Sequence, residues 1–187
     1  MKKVIMLVMV AFMTLGVSQK AQAIEDPNPT GTVMLGARAG FFPGFGANIV
    51  GDVTIVDHWW IGHFTVGGYL GFTTKTTKEY TYLTSTYREH WTNFAIMPRA
   101  TYGVNITEDF EVHLAFMLGA VYHNWKYKWN NEGYNHVYEP GSEWKFIQGE
   151  GVGCRYYFTP NFGVEAEVAY FYPSYMSYLN VGVSFRF

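Results

Sequence analysis

The sequence is poor in three features: cysteine, charged residues and long apolar runs. Cys154 is the only cysteine among 187 residues, so an intramolecular disulfide is excluded. Beyond the N-terminal segment, no apolar run reaches the about 20 residues that a membrane-spanning helix needs. Charged residues make up 15% of the chain, with 13 basic residues against 15 acidic ones, which argues against nucleic acid as a partner. The chain is instead rich in aromatic residues (19%) and in glycine (20 residues).

The first 23 residues have the pattern of a secretory signal peptide. Lys2 and Lys3 precede an apolar run over residues 4–17, and Ala21-Gln22-Ala23 has the small-x-small form of a cleavage site. We expect cleavage near Ala23 and a barrel domain over residues 24–187. No cysteine lies near this site, which excludes a lipid anchor through an N-terminal cysteine. Removal of the segment takes away three lysines, leaving ten basic residues against fifteen acidic ones.

The last strand carries the clearest pattern in the chain. Over residues 177–187, one set of alternate side chains is apolar and the other is mostly small or polar, and alternate side chains of a strand face opposite sides of a sheet. A soluble edge strand of this composition would aggregate, whereas a strand of a transmembrane barrel faces lipid on one side and a polar lumen on the other. The apolar set comprises Leu179, Val181, Val183, Phe185 and Phe187.

Similar alternation in seven earlier segments predicts an all-β fold, an eight-stranded antiparallel up-and-down transmembrane β-barrel. The connections alternate between variable and tight, as in outer-membrane barrels with long extracellular loops and short periplasmic turns. A soluble lipocalin-type barrel is the rival architecture, but it would need its polar face outside. The expected strands cover residues 32–41, 49–57, 62–72, 90–102, 110–122, 145–158, 163–171 and 177–187.

Two of these strands have irregular features. Pro98 falls on the outward face of the fourth strand and removes one ladder donor, so we expect a local bulge there. In the sixth strand, placing Val152 and Cys154 outward also sends Glu150 toward lipid, which is costly at mid-depth. Either a bulge among the glycines at 149, 151 and 153 shifts the phase, or Glu150 lies at the outer rim.

The inward faces of the predicted strands gather charges of both signs. Eight strands enclose a space that side chains can fill, and buried charges persist only when they are paired and hydrogen-bonded. We expect a salt-bridge network that plugs the lumen; an ion path and a catalytic cluster are the alternatives. The expected network comprises Arg38, Asp52, Arg99, Glu111, Arg155, Glu165, Glu167 and Arg186, with His63 and His113 between them.

Motifs for an enzyme or a metal site are lacking. Glu165 and Glu167 are neighbours on one strand face, but any lumen-facing pair has this spacing. None of the six histidines starts a His-x-Ser triplet of the kind that a lipid A deacylase barrel carries, and no His-x-x-x-His or Cys-x-x-Cys pair indicates a metal. We therefore expect no enzymatic activity, no metal and no cofactor.

Aromatic residues are dense in the two long segments between predicted strands, residues 73–89 and 123–144. A solvated loop needs only polar residues, so aromatic residues at this density favour recognition of a glycan or a protein. The alternative is an aromatic girdle with hairpins that stack on each other. The candidate recognition residues are Trp125, Tyr127, Trp129, Tyr134, Tyr138 and Trp144.

The whole chain after residue 23 resembles the small outer-membrane β-barrel domain family of OmpX- and OmpA-like proteins, most specifically in two stretches. Residues 152–167, Val-Gly-Cys-Arg-Tyr-Tyr-Phe-Thr-Pro-Asn-Phe-Gly-Val-Glu-Ala-Glu, look like its penultimate hairpin, and residues 66–71, Val-Gly-Gly-Tyr-Leu-Gly, look like its third strand. The terminal Phe187 resembles the signal read by the outer-membrane assembly machinery. The resemblance implies a barrel without a periplasmic domain, in contact with outer-membrane lipid, in a Gram-negative bacterium.

Function is implied less directly, because one fold serves many functions. We expect an integral outer-membrane protein with a plugged polar lumen and a structural or surface-interaction role, such as adhesion or host contact, through its extracellular loops. The alternatives are an outer-membrane enzyme acting on a lipid or surface substrate and a narrow ion-conducting pore. The expected ligand at the loops is a glycan or a protein.

Overall fold

The chain folds into β-strands along most of the part that the structure describes. This computed structural model describes residues 27–77, 80–82, 85–131 and 134–187, without the side chains of residues 80–87 and 127–140. The expected signal peptide lies outside the described residues. No helix in the described ranges is long and apolar enough to cross a membrane. The strands are β1 (Val33–Phe41), β2 (Phe45–Trp59), β3 (Gly62–Thr76), β4 (Tyr80–Tyr82), β5 (Ser85–Asn105), β6 (Phe110–Asn131), β7 (Tyr134–Thr159), β8 (Phe162–Tyr172) and β9 (Leu179–Arg186).

The eight longer strands close into a ring. In the described ranges each pairs antiparallel with its neighbours, in the order β3-β2-β1-β9-β8-β7-β6-β5, and β3 pairs with β5. The first strand pairs with the last: the backbone amide of Phe187 donates to the carbonyl of Val33 over 2.9 Å. The short β4 only extends the sheet beside β5. The predicted eight-stranded antiparallel up-and-down barrel is confirmed.

The two ends of the barrel differ in their connections. One end carries residue 27, Phe187 and three short turns at residues 60–61, 106–109 and 160–161; we name it the turn end, and the opposite end the loop end. Strand β6 is 22 residues long and β7 is 26, whereas about 10 tilted residues cross a bilayer. Because both strands meet short turns at the turn end, their excess length projects from the loop end.

Much of the two predicted loops is β-sheet, so the predicted strand ends are wrong there. β3 continues to Thr76 and β5 begins at Ser85, where we predicted a loop over residues 73–89. β6 continues to Asn131 and β7 begins at Tyr134, where we predicted a loop over residues 123–144. Beyond the membrane neither face of a hairpin must contact lipid, so the backbone ladder continues without the apolar alternation by which strands are recognised.

The two faces of the strands follow the predicted alternation. On the outward face Ile96 is 50% exposed and Val168 is 61% exposed, whereas the adjacent inward residues Met97 and Glu167 are each 1% exposed. The outward face is therefore apolar and open along the barrel, as contact with lipid requires.

The bulge predicted at Pro98 is not present. Strand β5 pairs with β3 without a shift through Gly68 and Pro98, and its register with β6 is the same on both sides of Pro98. Proline removes one donor from the ladder, and the flanking hydrogen bonds suffice to keep the register.

The phase of β7 is also unbroken, which decides between the two readings of Glu150. Its register with β6 and β8 runs without a shift through the glycines, and Glu150 is exposed on the outward face. Since β7 ends at Thr159, Glu150 lies at the far edge of the about ten residues that cross a bilayer. The structure therefore favours the rim position for Glu150 over a bulge.

The interior has two layers of different polarity. Charged side chains line the turn-side half, whereas the loop-side half contains a layer of apolar side chains that are at most 6% exposed. A polar lumen therefore describes only half of the barrel. The apolar layer comprises Val50, Tyr69, Ala95, Met97, Ala115, Met117, Val121, Ile147, Ala169, Phe171 and Met176.

Candidate functional site

Seven charged residues of the predicted network meet in the turn-side half of the lumen. They come from six strands, and each is at most 4% exposed. Alternation along the strands turns them all inward, and the ring brings them within reach of one another. We name this set the lumen cluster: Arg38, Asp52, Arg99, Glu111, Arg155, Glu165 and Glu167.

Arg155 is the centre of the lumen cluster. Its Nη2 lies 2.8 Å from Oδ2 of Asp52, its Nη1 lies 2.9 Å from Oε1 of Glu111, and its Nε donates to Oε2 of Glu165 over 3.2 Å. A guanidinium has several N–H donors in a rigid fork, and Arg155 uses that fork to connect three other strands to β7.

Glu167 forms the second node of the cluster. Arg99 donates to it through two nitrogens, over 2.6 and 3.2 Å, and Nη1 of Arg38 lies 3.2 Å from its Oε2. Arg99 also reaches Asp52, and Arg38 reaches Glu165, over 3.3 and 3.7 Å. Each carboxylate of the cluster thus contacts at least one guanidinium.

Arg186 does not pair with a carboxylate in the described part of the chain, so that predicted pair is wrong. Its Nε donates to the carbonyl of Pro160 over 2.9 Å, its Nη1 donates to Oδ1 of Asn28 over 3.4 Å, and its guanidinium lies 4.1 Å from the ring centre of Tyr157. The Arg186 side chain lies closer to the turn end of the barrel than the carboxylates do, so it does not reach them.

Asn28 closes the turn end beneath the lumen cluster. The side chain has no solvent exposure, and its Nδ2 donates to Oε2 of Glu111 over 3.1 Å and to Oδ1 of Asn105 over 3.3 Å. The sequence places Asn28 in a short polar lead before the first strand, where no periodic pattern indicates that a side chain is buried.

The connection between β8 and β9 covers the apolar layer on its loop side. Met176 is fully buried in that layer, and Ser177 is 1% exposed. The hydroxyl of Ser177 lies 3.3 Å from that of Thr73 on β3. This connection therefore reaches into the lumen rather than standing above it.

Aromatic side chains gather at the loop end above the apolar layer. The ring of His123 stacks on Trp125 at 4.9 Å and lies 4.3 Å from the ring of Tyr175, while Trp91 meets His123 edge-on at 6.0 Å. Lys75 places its ammonium 4.9 Å from the ring centre of Trp91. We name the four rings the mouth cluster: Trp91, His123, Trp125 and Tyr175.

Tyr175 is held in the mouth cluster by hydrogen bonds from two sides. Lys145 donates to its hydroxyl over 2.9 Å, and Nδ2 of Asn93 donates to its carbonyl over 2.6 Å. Hydrogen bonds from Lys145 to Glu143 and to Tyr175 raise the pKa of Lys145, and burial lowers the pKa of His123. Both groups lie beyond the membrane-spanning part, and a positive Lys145 beside a neutral His123 suits this packing.

The candidate recognition residues do not form one surface. Trp125 faces inward and belongs to the mouth cluster, whereas Trp144 faces outward, is 60% exposed and packs against Tyr122 at 5.3 Å. Strands β6 and β7 contain the backbone of the remaining four, whose side chains lie outside the described part: Tyr127, Trp129, Tyr134 and Tyr138.

Similarity to known proteins is found at the level of the fold. No protein-family model matches the chain, and no curated protein does. A designed transmembrane β-barrel aligns with a TM-score of 0.52 and 9% identity, over 84% of this chain and 97% of that one. The N-terminal barrel domain of Pseudomonas aeruginosa OprF aligns with a TM-score of 0.49 and 18% identity, over 84% and 98%. Ail, the attachment invasion locus protein of Yersinia pestis, solved with the heparin analogue sucrose octasulfate, aligns with a TM-score of 0.47 and 17% identity, over 83% and 97%.

At these identities the likeness concerns the fold alone. Three structural features agree with it: the closed ring of antiparallel strands, the apolar outward face and the buried charges inside. The chain therefore has the fold of an eight-stranded antiparallel transmembrane β-barrel.

Proposed function

We propose that this chain is an integral outer-membrane protein of a Gram-negative bacterium, without enzymatic activity, that acts at the cell surface through the loop end of its barrel. A signal peptide over residues 1–23 would export it, and the terminal Phe187 would be read during assembly. The contact it makes is adhesive or structural, with a glycan or a protein as the ligand.

The projecting sheet of β5, β6 and β7 is the observation that carries this proposal. Strand β6 has 22 residues and β7 has 26, about twice what a bilayer crossing uses. Their backbone pairing continues to Asn131 and Tyr134. An ordered sheet of this length outside the membrane is not needed to close a barrel, so it suits contact with another surface.

Exposed aromatic residues on this sheet also support contact with a partner. Trp144 and Phe146 are 60% and 66% exposed on its outward face, beyond Glu150 at the rim of the apolar band. Soluble surfaces rarely keep contiguous apolar patches unless these contact a partner, and Trp is enriched among residues that dominate binding energy.

A closed lumen, which is part of this proposal, would favour a surface role over transport. The lumen cluster lies in the turn-side half and the apolar layer lies in the loop-side half. Eight strands enclose about enough space for side chains alone, whereas porins use 16 or more strands.

Removal of the hairpin tip tests the proposal. A variant without residues 130–142 should migrate as a folded barrel before heating, because the tip lies outside the membrane ladder, but it should lose binding to a glycan array and to cultured host cells. A variant with the turn at residues 107–109 replaced by Gly and Ser serves as the control and should bind normally. Equal binding by the trimmed protein would contradict the proposal.

A second variant keeps the test decisive if the trimmed chain does not fold. Trp144→Ala with Phe146→Ala leaves the backbone ladder intact and removes the exposed aromatic face. Loss of one binding anchor typically costs on the order of 2 kcal/mol, which is roughly a thirtyfold loss of affinity.

A further inference from the structure

The lumen cluster holds an unequal number of opposite charges. Its three guanidiniums, Arg38, Arg99 and Arg155, face four carboxylates. Arg186 lies below it and binds a backbone carbonyl instead. Four ionised carboxylates would therefore outnumber the guanidiniums that contact them, although Arg186 reaches Glu111 indirectly through Asn28, and a buried charge that lacks a partner strongly destabilises a fold.

His113 lies between two of these carboxylates. Its Nε2 lies 3.2 Å from Oε2 of Glu167, and its Nδ1 lies 3.4 Å from Oε1 of Glu111. The side chain is buried, and its Nδ1 has no hydrogen-bond partner among the described residues. The nearest polar neighbour of each ring nitrogen is thus a carboxylate oxygen.

Neutral imidazole cannot satisfy both contacts. It carries one N–H and one lone pair, so in either tautomer a lone pair would face a carboxylate oxygen and the two would repel. An imidazolium carries a proton on each ring nitrogen, so neither carboxylate would face a lone pair. We propose that His113 is a buried proton-binding site: in the folded barrel both of its ring nitrogens carry a proton, and the imidazolium supplies the positive charge that the lumen cluster lacks.

The groups around His113 are consistent with one added proton. Glu111 lies on its own strand β6, and Glu167 approaches from β8. Strand β7 places Gly153 against the ring, where an added Cβ would lie 2.5 Å from Nε2 of His113, so glycine leaves the space that the ring fills. Behind the carboxylates lie the guanidiniums, with Arg155 on Glu111 and with Arg38 and Arg99 on Glu167.

His63 on β3 is the competing site for this proton. Its Nε2 lies 3.6 Å from Oε2 of Glu111 and 3.5 Å from Nδ2 of Asn28. Nε2 of His63 thus lies farther from its carboxylate oxygen than either ring nitrogen of His113 lies from its own. The geometry therefore assigns the proton to His113, which lies between two carboxylates.

This inference concerns the lumen and does not depend on the role proposed for the loop end.

Nitrogen NMR of the full-length mature protein, labelled with 15N-histidine and folded in detergent micelles, tests the proposal. At about pH 8 an exposed histidine is neutral and gives two widely separated nitrogen resonances, whereas an imidazolium gives two close ones. His113 should give the imidazolium pattern at this pH. Assignment follows from loss of the signals in His113→Gln or, if that variant does not fold, from correlation with the backbone in the unmodified protein. A neutral pattern for His113 overturns the proposal.

A variant that removes one carboxylate tests whether the charge balance of the lumen cluster, rather than burial alone, determines the protonation of His113. Glu167→Gln leaves three carboxylates against three guanidiniums, so His113 should change to the neutral pattern at the same pH. Glu111→Gln has the same effect on the balance and replaces the first variant if that one does not fold. Glu143→Gln, at the mouth cluster, is the control and should leave His113 unchanged. An imidazolium that persists when either lumen carboxylate is removed overturns the proposal.

Discussion

At the scale of single residues, the lumen cluster depends most on Arg155. One guanidinium contacts Asp52, Glu111 and Glu165 within 3.2 Å, so its loss would leave three carboxylates with fewer partners. We expect Arg155→Ala to lower the free energy of unfolding by about 3–5 kcal/mol, the usual cost of breaking a buried ion pair. Urea unfolding in detergent or lipid vesicles measures it.

Arg186→Ala is the matched control for that experiment. Arg186 contacts a backbone carbonyl, an amide oxygen and a ring but no carboxylate in the described part of the chain. Its removal should therefore cost clearly less than removal of Arg155. Equal losses for the two variants would mean that the cluster does not depend on charge pairing.

Alternation in the sequence indicates which residues share the lumen but not which of them meet. It places Arg38, Arg99 and Arg155 inward, and the structure brings all three together. Alternation does not give the position of each residue along the barrel axis, which depends on strand register and tilt. For this reason the sequence does not show that Arg186 lies closer to the turn end than the carboxylates. The buried Asn28 precedes the first strand and carries no periodic signal.

At the scale of elements, the connection between β8 and β9 is part of the core. Met176 is fully buried in the apolar layer. We expect Met176→Ala to lower the free energy of unfolding by about 2–5 kcal/mol, as for other large-to-small changes in a core. Leu70→Ala, on the outward face at 45% exposure, is the control in detergent and should cost less. An unchanged unfolding midpoint for Met176→Ala would show that the connection does not pack as described.

The last strand carries a prediction about assembly. Phe187 is 67% exposed on the outward face at the turn end, and Phe187→Asp should lower the yield of protein in the outer membrane because the terminal aromatic signal is lost. Phe158→Asp places the same charge at an outward aromatic position of β7 that is 61% exposed. If both variants reach the membrane equally well, the terminal residue has no special role.

Strand lengths were the part of the fold that the sequence predicted least well. The membrane-spanning portions were found because one face must be apolar there. Strands β6 and β7 continue to Asn131 and Tyr134, where that requirement ends and the sequence becomes polar and aromatic on both faces. The extension depends on backbone pairing between strands distant from lipid, for which the sequence carries no simple pattern.

At the scale of the whole molecule, the interior of the barrel carries two groups of buried side chains. The lumen cluster and the apolar layer lie one above the other along the barrel. We therefore expect purified protein in planar bilayers to give no steady conductance at neutral pH. A stable open channel would support the ion-pore alternative and contradict a closed lumen.

The central claim is that the apolar outward face contacts lipid while the charged side chains point into the barrel. Cys154, the only cysteine, lies on the outward face of β7 next to the inward Arg155. A nitroxide spin label on Cys154 in lipid vesicles measures this directly. We predict strong relaxation by oxygen, which concentrates in lipid, and weak relaxation by a water-soluble nickel chelate, with the reverse for a label on Ile106→Cys in a Cys154→Ser background. A label on Cys154 that the nickel chelate reaches as readily as it reaches position 106 would contradict the account.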